Sequence, residues 1–178
     1  MEITLDALLQ SRDNRHALQQ QLLQQHPGRT LVCLTVVMPG SVKRNLYSVV
    51  TAQAAVTALL DRLGEHVQAT RARDLQTGYE AYLITDLPAL ETKRVTCDIE
   101  DSHPLGRLFD IDVMGDDGMP ISRQAVGGEP RRCLLCEHVL LLTIGLITAI
   151  LVLFVDIYLG GEGLPPRLNP KVFASPFA

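Results

Sequence analysis

The sequence lacks several features that would place it in a common functional class. It has 16 Lys and Arg against 20 Asp and Glu residues, so its net charge of −4 provides no broad basic field for nucleic acid. It shows no signal peptide, and its four cysteines are therefore expected in a reducing cytoplasm. There is no internal repeat and no evident Gly-rich phosphate-binding loop. The 178 residues, 47% of them hydrophobic, suffice for one ordinary domain with its own core.

Three helices are predicted in the first part of the chain. Two are expected at 4–10 and 11–28, with Ser11 as the N-cap of the second. The third has the clearest pattern, because its apolar residues step by three and four before Gly64, a predicted C-cap. This apolar stripe consists of Val49, Ala52, Val56, Leu59 and Leu63.

Four further segments have the composition or the alternation of β-strands. They lie at 30–37, 79–85, 92–100 and 108–113, and the last is followed by "GDDG", a turn that could lead into a partner strand at 119–122. Helices and strands mix without a regular βαβ rhythm. We therefore predict a single α+β domain with a mostly antiparallel or mixed sheet and flanking helices.

Two acidic residues interrupt the apolar strand at 108–113. Asp110 and Asp112 are two residues apart, so they should project from one face with Cβ atoms roughly 7 Å apart. Such a pair can share Mg²⁺ or Mn²⁺, which take further ligands from water and substrate phosphates. Solvated aspartates on an open strand face are the alternative. The nearby His103, Arg107 and Arg123 favour phosphate chemistry, since arginine forks match phosphate oxygens.

The cysteines allow more than one interpretation. Cys33 and Cys97 lie alone in strand-like runs and are expected to be small buried apolar residues. Cys133 and Cys136 form a C-x-x-C pair that, with His138, offers only three of the four ligands of a structural zinc site. A redox pair would need a thioredoxin-like context, which is missing. Two reduced, packed thiols are the simplest interpretation.

The chain changes character near residue 137, which divides it into a domain at 1–137 and an apolar tail at 138–178. Seventeen residues at 139–155 carry no charge. This run could be a short transmembrane helix, a buried helix, or the product of a shifted reading frame. The sudden loss of charge favours the third interpretation. The charged residues of the tail are only Asp156, Glu162, Arg167 and Lys171.

Five stretches of the domain, taken together, resemble the apo-citrate lyase phosphoribosyl-dephospho-CoA transferase family, also called citrate lyase holo-acyl-carrier-protein synthase. They occur in the family's order, and the resemblance ends at about residue 137. The stretches are "LLQSRDNR" at 8–15, "LTVVMPGSVK" at 34–43, "SHPLGRLFDIDV" at 102–113, "ISR" at 121–123 and "PRRCLLCE" at 130–137.

The resemblance implies an enzyme of the nucleotidyltransferase type. Such an enzyme moves the 2'-(5''-phosphoribosyl)-3'-dephospho-CoA group from 2'-(5''-triphosphoribosyl)-3'-dephospho-CoA to a serine of the citrate lyase acyl carrier protein, the gamma chain, and releases pyrophosphate. The alternative is a non-catalytic module, tethered to a membrane through 139–155, that binds the carrier protein or a CoA-like nucleotide.

The implied reaction suggests roles for the residues in the matching stretches. Asp110 and Asp112 would bind Mg²⁺, and His103 or one of the aspartates would accept the serine proton. The remaining candidates are basic residues that would contact the triphosphate or an acidic carrier protein. These are Arg12, Arg15, Lys43, Arg107 and Arg123.

Overall fold

The computed structural model describes residues 3–130, which form three α-helices and four β-strands. The predicted single α+β domain is confirmed, and three short 3₁₀ turns complete it at Gly64–His66, Gly106–Leu108 and Arg123–Val126. The elements in chain order are α1 (Leu5–Gln25), β1 (Thr30–Val36), α2 (Leu46–Leu63), β2 (Val67–Leu75), β3 (Gly78–Thr85), α3 (Ala89–Ser102) and β4 (Phe109–Met114).

The four strands form one antiparallel sheet in the order β2-β3-β1-β4. Strand β1 lies inside the sheet, and its register pairs Cys33 with Asp112 and Thr35 with Asp110. On its other side, Thr35 pairs with Glu80 of β3. Directly paired residues project from the same face of a sheet, so these polar side chains share one face.

The sheet lies between two helical layers. Helices α2 and α3 cover one face, where Val32, Leu34 and Ile111 belong to the larger apolar core. Helix α1 covers the other face, where its residues Leu18 and Leu22 pack in a smaller apolar cluster. Because residues alternate along a strand, Asp110 and Asp112 face the α1 side.

Helix α2 confirms the prediction from the apolar stripe. Four of the five stripe residues are buried. Gly64 is the C-cap, as predicted, and its positive φ of 54° suits glycine. Its N-terminus carries a capping box between Asn45 and Ser48, which satisfies two backbone N–H groups that the helix leaves unbonded.

The prediction of two separate N-terminal helices is wrong. Residues 5–25 form one helix, and its N-cap is Thr4, whose hydroxyl accepts a hydrogen bond from Ala7 N. Ser11 is buried inside α1 and is not an N-cap. Its hydroxyl lies 2.8 Å from that of Thr77 in the β2–β3 turn, so a tertiary contact satisfies it.

The prediction of a strand at 92–100 is also wrong, because this segment belongs to α3. Polar residues account for the error. Thr92 and Thr96 are buried with hydroxyls bonded to backbone carbonyls, and Lys93 and Glu100 are buried as well. The buried face therefore has a helical period that apolar residues alone do not reveal.

Two other differences concern the sheet. Strand β2 was not predicted, since it is an edge strand without buried residues and carries charged side chains such as Arg71 and Arg73. The turn after β4 forms, but the predicted partner strand is reduced to a bridge between Met114 and Pro120 and one hydrogen bond from Ile121 N to Val113 O.

Several predictions concern residues outside 3–130. These are the C-x-x-C pair with His138, the apolar run at 139–155 and the domain boundary near 137. Within the described part of the chain, no helix combines the length and the apolarity needed to cross a membrane.

Candidate active site

Asp110 and Asp112 lie on the edge strand β4, on the face toward α1. Asp110 is exposed and Asp112 is half-buried. The hydroxyl of Thr35 on β1 donates a hydrogen bond of 3.0 Å to Asp110 Oδ2, which restricts the orientation of that carboxylate. The two carboxylates therefore have the same-face arrangement that their spacing predicted.

An open pocket of about 220 Å³ lies beside Asp110 at one end of the sheet. Its walls come from α1, the end of β1 and the loop that follows it, the β2–β3 turn, and strands β3 and β4. The polar lining residues are Arg15, Thr35, Lys43, Thr77, Glu80 and Asp110. Three of the residues singled out in the sequence, Arg15, Lys43 and Asp110, thus meet at one pocket.

A buried carboxylate lies at the base of this pocket. Glu80 is 2% exposed, and its Oε1 accepts a hydrogen bond of 3.1 Å from Arg15 Nε. Its Oε2 accepts hydrogen bonds from Tyr82 OH at 2.6 Å and from Arg73 Nη2 at 2.5 Å. Burial raises the pKa of Glu80, but the bonds from Tyr82 and Arg73 and the charges of Arg73 and Arg15 outweigh it and lower the pKa below the ordinary value.

Lys43 reaches the pocket from the loop between β1 and α2. Its Nζ donates a hydrogen bond of 2.6 Å to the carbonyl of Met38 in the same loop. This bond connects two residues of the loop, Met38 and Lys43, that both line the pocket. An ammonium group carries three donors, so it can bind an anion while it keeps this bond.

Two predicted site residues, His103 and Arg123, contact residues on the opposite side of β4. The ring of His103 packs 4.8 Å from that of Phe109, a residue of the larger core. His103 Nδ1 accepts a hydrogen bond from Leu105 N, and burial lowers the pKa of the imidazole. Arg123 donates to Asp101 on α3 over 2.5 Å.

The other two predicted residues are exposed. Arg12 lies on α1, one turn before Arg15, and Arg107 lies in the 3₁₀ turn that leads into β4. Neither lines the pocket at Asp110. Asp112 does not line it either. The structure therefore brings Arg15, Lys43 and Asp110 together at the pocket and leaves the other five predicted site residues outside it.

Few side chains of this site could hold a metal ion. Within residues 3–130, no group of three or more His, Cys, Asp or Glu side chains could hold a metal ion. Asp110 and Asp112 supply two carboxylates on an accessible strand face. This donor set suits Mg²⁺, which commonly binds one or two carboxylates and completes its shell with water and substrate phosphates.

Sequence reasoning missed Glu80, Arg73, Tyr82 and Thr35. One signal was available, because Glu80 interrupts the apolar strand "YEAYLIT" much as the aspartates interrupt "LFDIDV". A charged residue in a buried strand needs a partner. Its partners were not identifiable, since Arg15 and Arg73 belong to other elements of the chain.

Comparison with known proteins agrees with the resemblance noted in the sequence. The family model described as apo-citrate lyase phosphoribosyl-dephospho-CoA transferase matches residues 3–140. Proteins of that name from Escherichia coli O1:K1 and Shigella boydii serotype 18 are each 41% identical over 141 residues, covering 76% of this chain and 75% of theirs.

A third relative is much longer than this chain. Protein CitXG of Haemophilus influenzae is 39% identical over 138 residues, which are 76% of this chain but 30% of that protein. The match thus spans less than a third of the Haemophilus protein and about three quarters of the other relatives. On the extent of the family match and of these identities, the chain belongs to the apo-citrate lyase phosphoribosyl-dephospho-CoA transferase family.

Proposed function

We propose that this protein transfers the 2'-(5''-phosphoribosyl)-3'-dephospho-CoA group from 2'-(5''-triphosphoribosyl)-3'-dephospho-CoA to a serine of the citrate lyase acyl carrier protein, with release of pyrophosphate. Family membership supports the reaction. The observation that carries the proposal is the pocket that joins Asp110 to Arg15 and Lys43. A carboxylate beside two cationic groups is suited to a metal-assisted reaction of a phosphate chain.

The reaction is a nucleotidyl transfer. The serine oxygen forms a bond to the α-phosphorus, the bond to the bridging oxygen breaks, and pyrophosphate leaves with the electron pair. Mg²⁺, when bound by Asp110 and Asp112, would supply charge neutralisation to the phosphate oxygens. Arg15 and Lys43 would hold the triphosphate. The bond to Glu80 uses only Nε of Arg15, and the guanidinium has four other N–H donors.

We assign acceptance of the serine proton to one of the two aspartates rather than to His103. Because His103 Nδ1 accepts a bond from Leu105 N, the neutral ring carries its proton on Nε2 and is a donor there. Arg123 is assigned to its ion pair with Asp101. The exposed Arg12 and Arg107 remain our candidates for binding the triphosphate or an acidic carrier surface.

We also propose a cytoplasmic location. This location follows the expectation, from the sequence, of reduced cysteines. Cys33 and Cys97 are both buried free thiols.

The proposal is tested with the full chain and two isosteric variants, Asp110→Asn and Asp112→Asn. Apo-carrier protein, triphosphoribosyl-dephospho-CoA and Mg²⁺ are incubated with each variant, and the carrier mass is followed. We expect the mass gain with wild type and its loss with both variants, while circular dichroism stays unchanged. Asp61→Asn, at an exposed position on α2, is the matched control and should transfer normally.

Two results would contradict the proposal. Transfer at a near-native rate by either variant would remove that aspartate from the reaction. A folded wild-type protein that binds the carrier or the nucleotide without changing the carrier mass would instead indicate a binding module.

A further inference from the structure

Helix α3 buries two charged side chains next to the candidate active site. Lys93 and Glu100 are each 4% exposed, and they lie two turns apart on the same side of the helix. Burial of a charge is unfavourable unless strong hydrogen bonds satisfy it. Both side chains therefore require hydrogen-bond partners in the interior that offset this cost.

Both side chains bond to the backbone of one residue, Ile111. Lys93 Nζ donates to Ile111 O over 3.0 Å, and Ile111 N donates to Glu100 Oε1 over 3.0 Å. Ile111 separates Asp110 from Asp112. Its N–H and C=O point away from β1, since backbone groups alternate in direction along an antiparallel strand.

The position of Glu100 is itself restrained by the next segment of the chain. A Cβ added at Gly106 would meet the carbonyl oxygen of Glu100 at 2.1 Å, so the turn before β4 packs directly on the backbone of α3. The helix, the turn and the strand thus hold one another in a single arrangement around Ile111.

We infer that Lys93 and Glu100 are positioning residues that set the separation and direction of the two carboxylates. The inference rests on the proposed function. Within residues 3–130, no strand lies beside β4 on the edge that carries Ile111. A bulge or a change of twist there would move Asp110 relative to Asp112. By fixing both backbone groups of Ile111, α3 prevents that change.

The test is Mn²⁺ binding to the full-length protein without substrate, measured by electron paramagnetic resonance. Lys93→Met and Glu100→Met remove one bond each and should weaken Mn²⁺ binding about tenfold, the lower end of the effect of supporting groups around metal sites. Glu100→Gln keeps an acceptor oxygen for Ile111 N and should bind Mn²⁺ almost as wild type does.

Two controls separate positioning from stability and from the metal site itself. Ile99→Val trims a buried residue of the same helix and should lower stability without changing Mn²⁺ affinity. Asp110→Asn should abolish the binding. If Lys93→Met does not fold, Lys93→Gln replaces it, since the shorter side chain cannot reach Ile111 O and the same weakening is expected.

The possible failures are distinguishable. If Asp110→Asn binds Mn²⁺ as wild type does, the proposed metal site is wrong. The positioning role of Lys93 and Glu100 is then wrong as well. If Asp110→Asn loses Mn²⁺ while the variants at Lys93 and Glu100 keep native affinity, the metal site stands. In that case α3 only covers the sheet edge, and the positioning role is overturned.

Discussion

Arg15 Nε on α1 lies 3.1 Å from Glu80 Oε1 on β3, and this ion pair joins the helix to the centre of the sheet. The arginine is 30% exposed and the glutamate 2%. Toward its C-terminus, α1 packs on the sheet through Leu18 and Leu22. At Arg15, the ion pair with Glu80 connects the helix to the sheet instead. The same contact forms the base of the candidate active site.

Glu80→Gln should lower the free energy of unfolding at neutral pH by about 2 kcal/mol, because a charged acceptor with three donor side chains becomes a neutral amide. The pKa of Glu80 is lowered in the folded protein. Its stabilising contribution is therefore complete above the unfolded value of about 4.5 and is lost as the pH falls through the lower folded value. Urea denaturation at several pH values should show wild type and variant converging in acid.

The control for this prediction is Glu65→Gln. Glu65 is exposed, and the change should shift stability by less than about 0.5 kcal/mol at every pH. A stability difference between wild type and Glu80→Gln that stays constant from neutral to acid pH would contradict the assignment of a stabilised carboxylate.

Gly106→Ala should destabilise the fold by about 2 kcal/mol or more, since the new methyl group would lie 2.1 Å from Glu100 O and force backbone movement. Gly115→Ala is the matched control on the other end of β4. Its Cβ would meet only Ala89 Cβ at 3.6 Å, an ordinary contact. Thermal unfolding of both variants checks the contrast, and equal stability would show that the turn adapts freely.

Cys33 should resist alkylation in the native protein at pH 8. Burial raises the pKa of its thiol to about 12, so the reactive thiolate is scarce, and the side chain is 2% exposed. Iodoacetamide treatment followed by peptide mass spectrometry should find Cys33 unmodified until urea is added. Rapid native modification would mean that α1 opens from the sheet at this point.

Strand β4 was predictable because the pattern that defines it lies within one short stretch of the sequence. Phe109, Ile111 and Val113 alternate with acidic residues, and a period of two defines both the strand and its polar face. The helix α2 was predictable for a similar reason, since its stripe and its capping glycine are adjacent in sequence. The family resemblance also rested on contiguous stretches.

The errors arose where polar residues fill buried positions. In α3, Lys93 and Glu100 are buried. Val95, Cys97 and Ile99 alternate with polar residues, and this period of two led to the incorrect prediction of a strand. At Ser11, a residue favoured at helix starts is instead satisfied by Thr77, 66 residues away. Intrinsic preferences are weak compared with such tertiary contacts.

Spacing within the chain was thus sufficient to place Asp110 and Asp112 on one face and to indicate phosphate chemistry beside them. Which residues share a pocket with Asp110 depended on the three-dimensional arrangement. Arg15 and Lys43 line the pocket from a helix and a loop. His103 and Arg123 are closer to Asp110 in sequence, but they contact Phe109 and Asp101 on the α3 side of β4. Proximity along a chain does not determine proximity across a sheet, because successive residues of a strand face opposite layers.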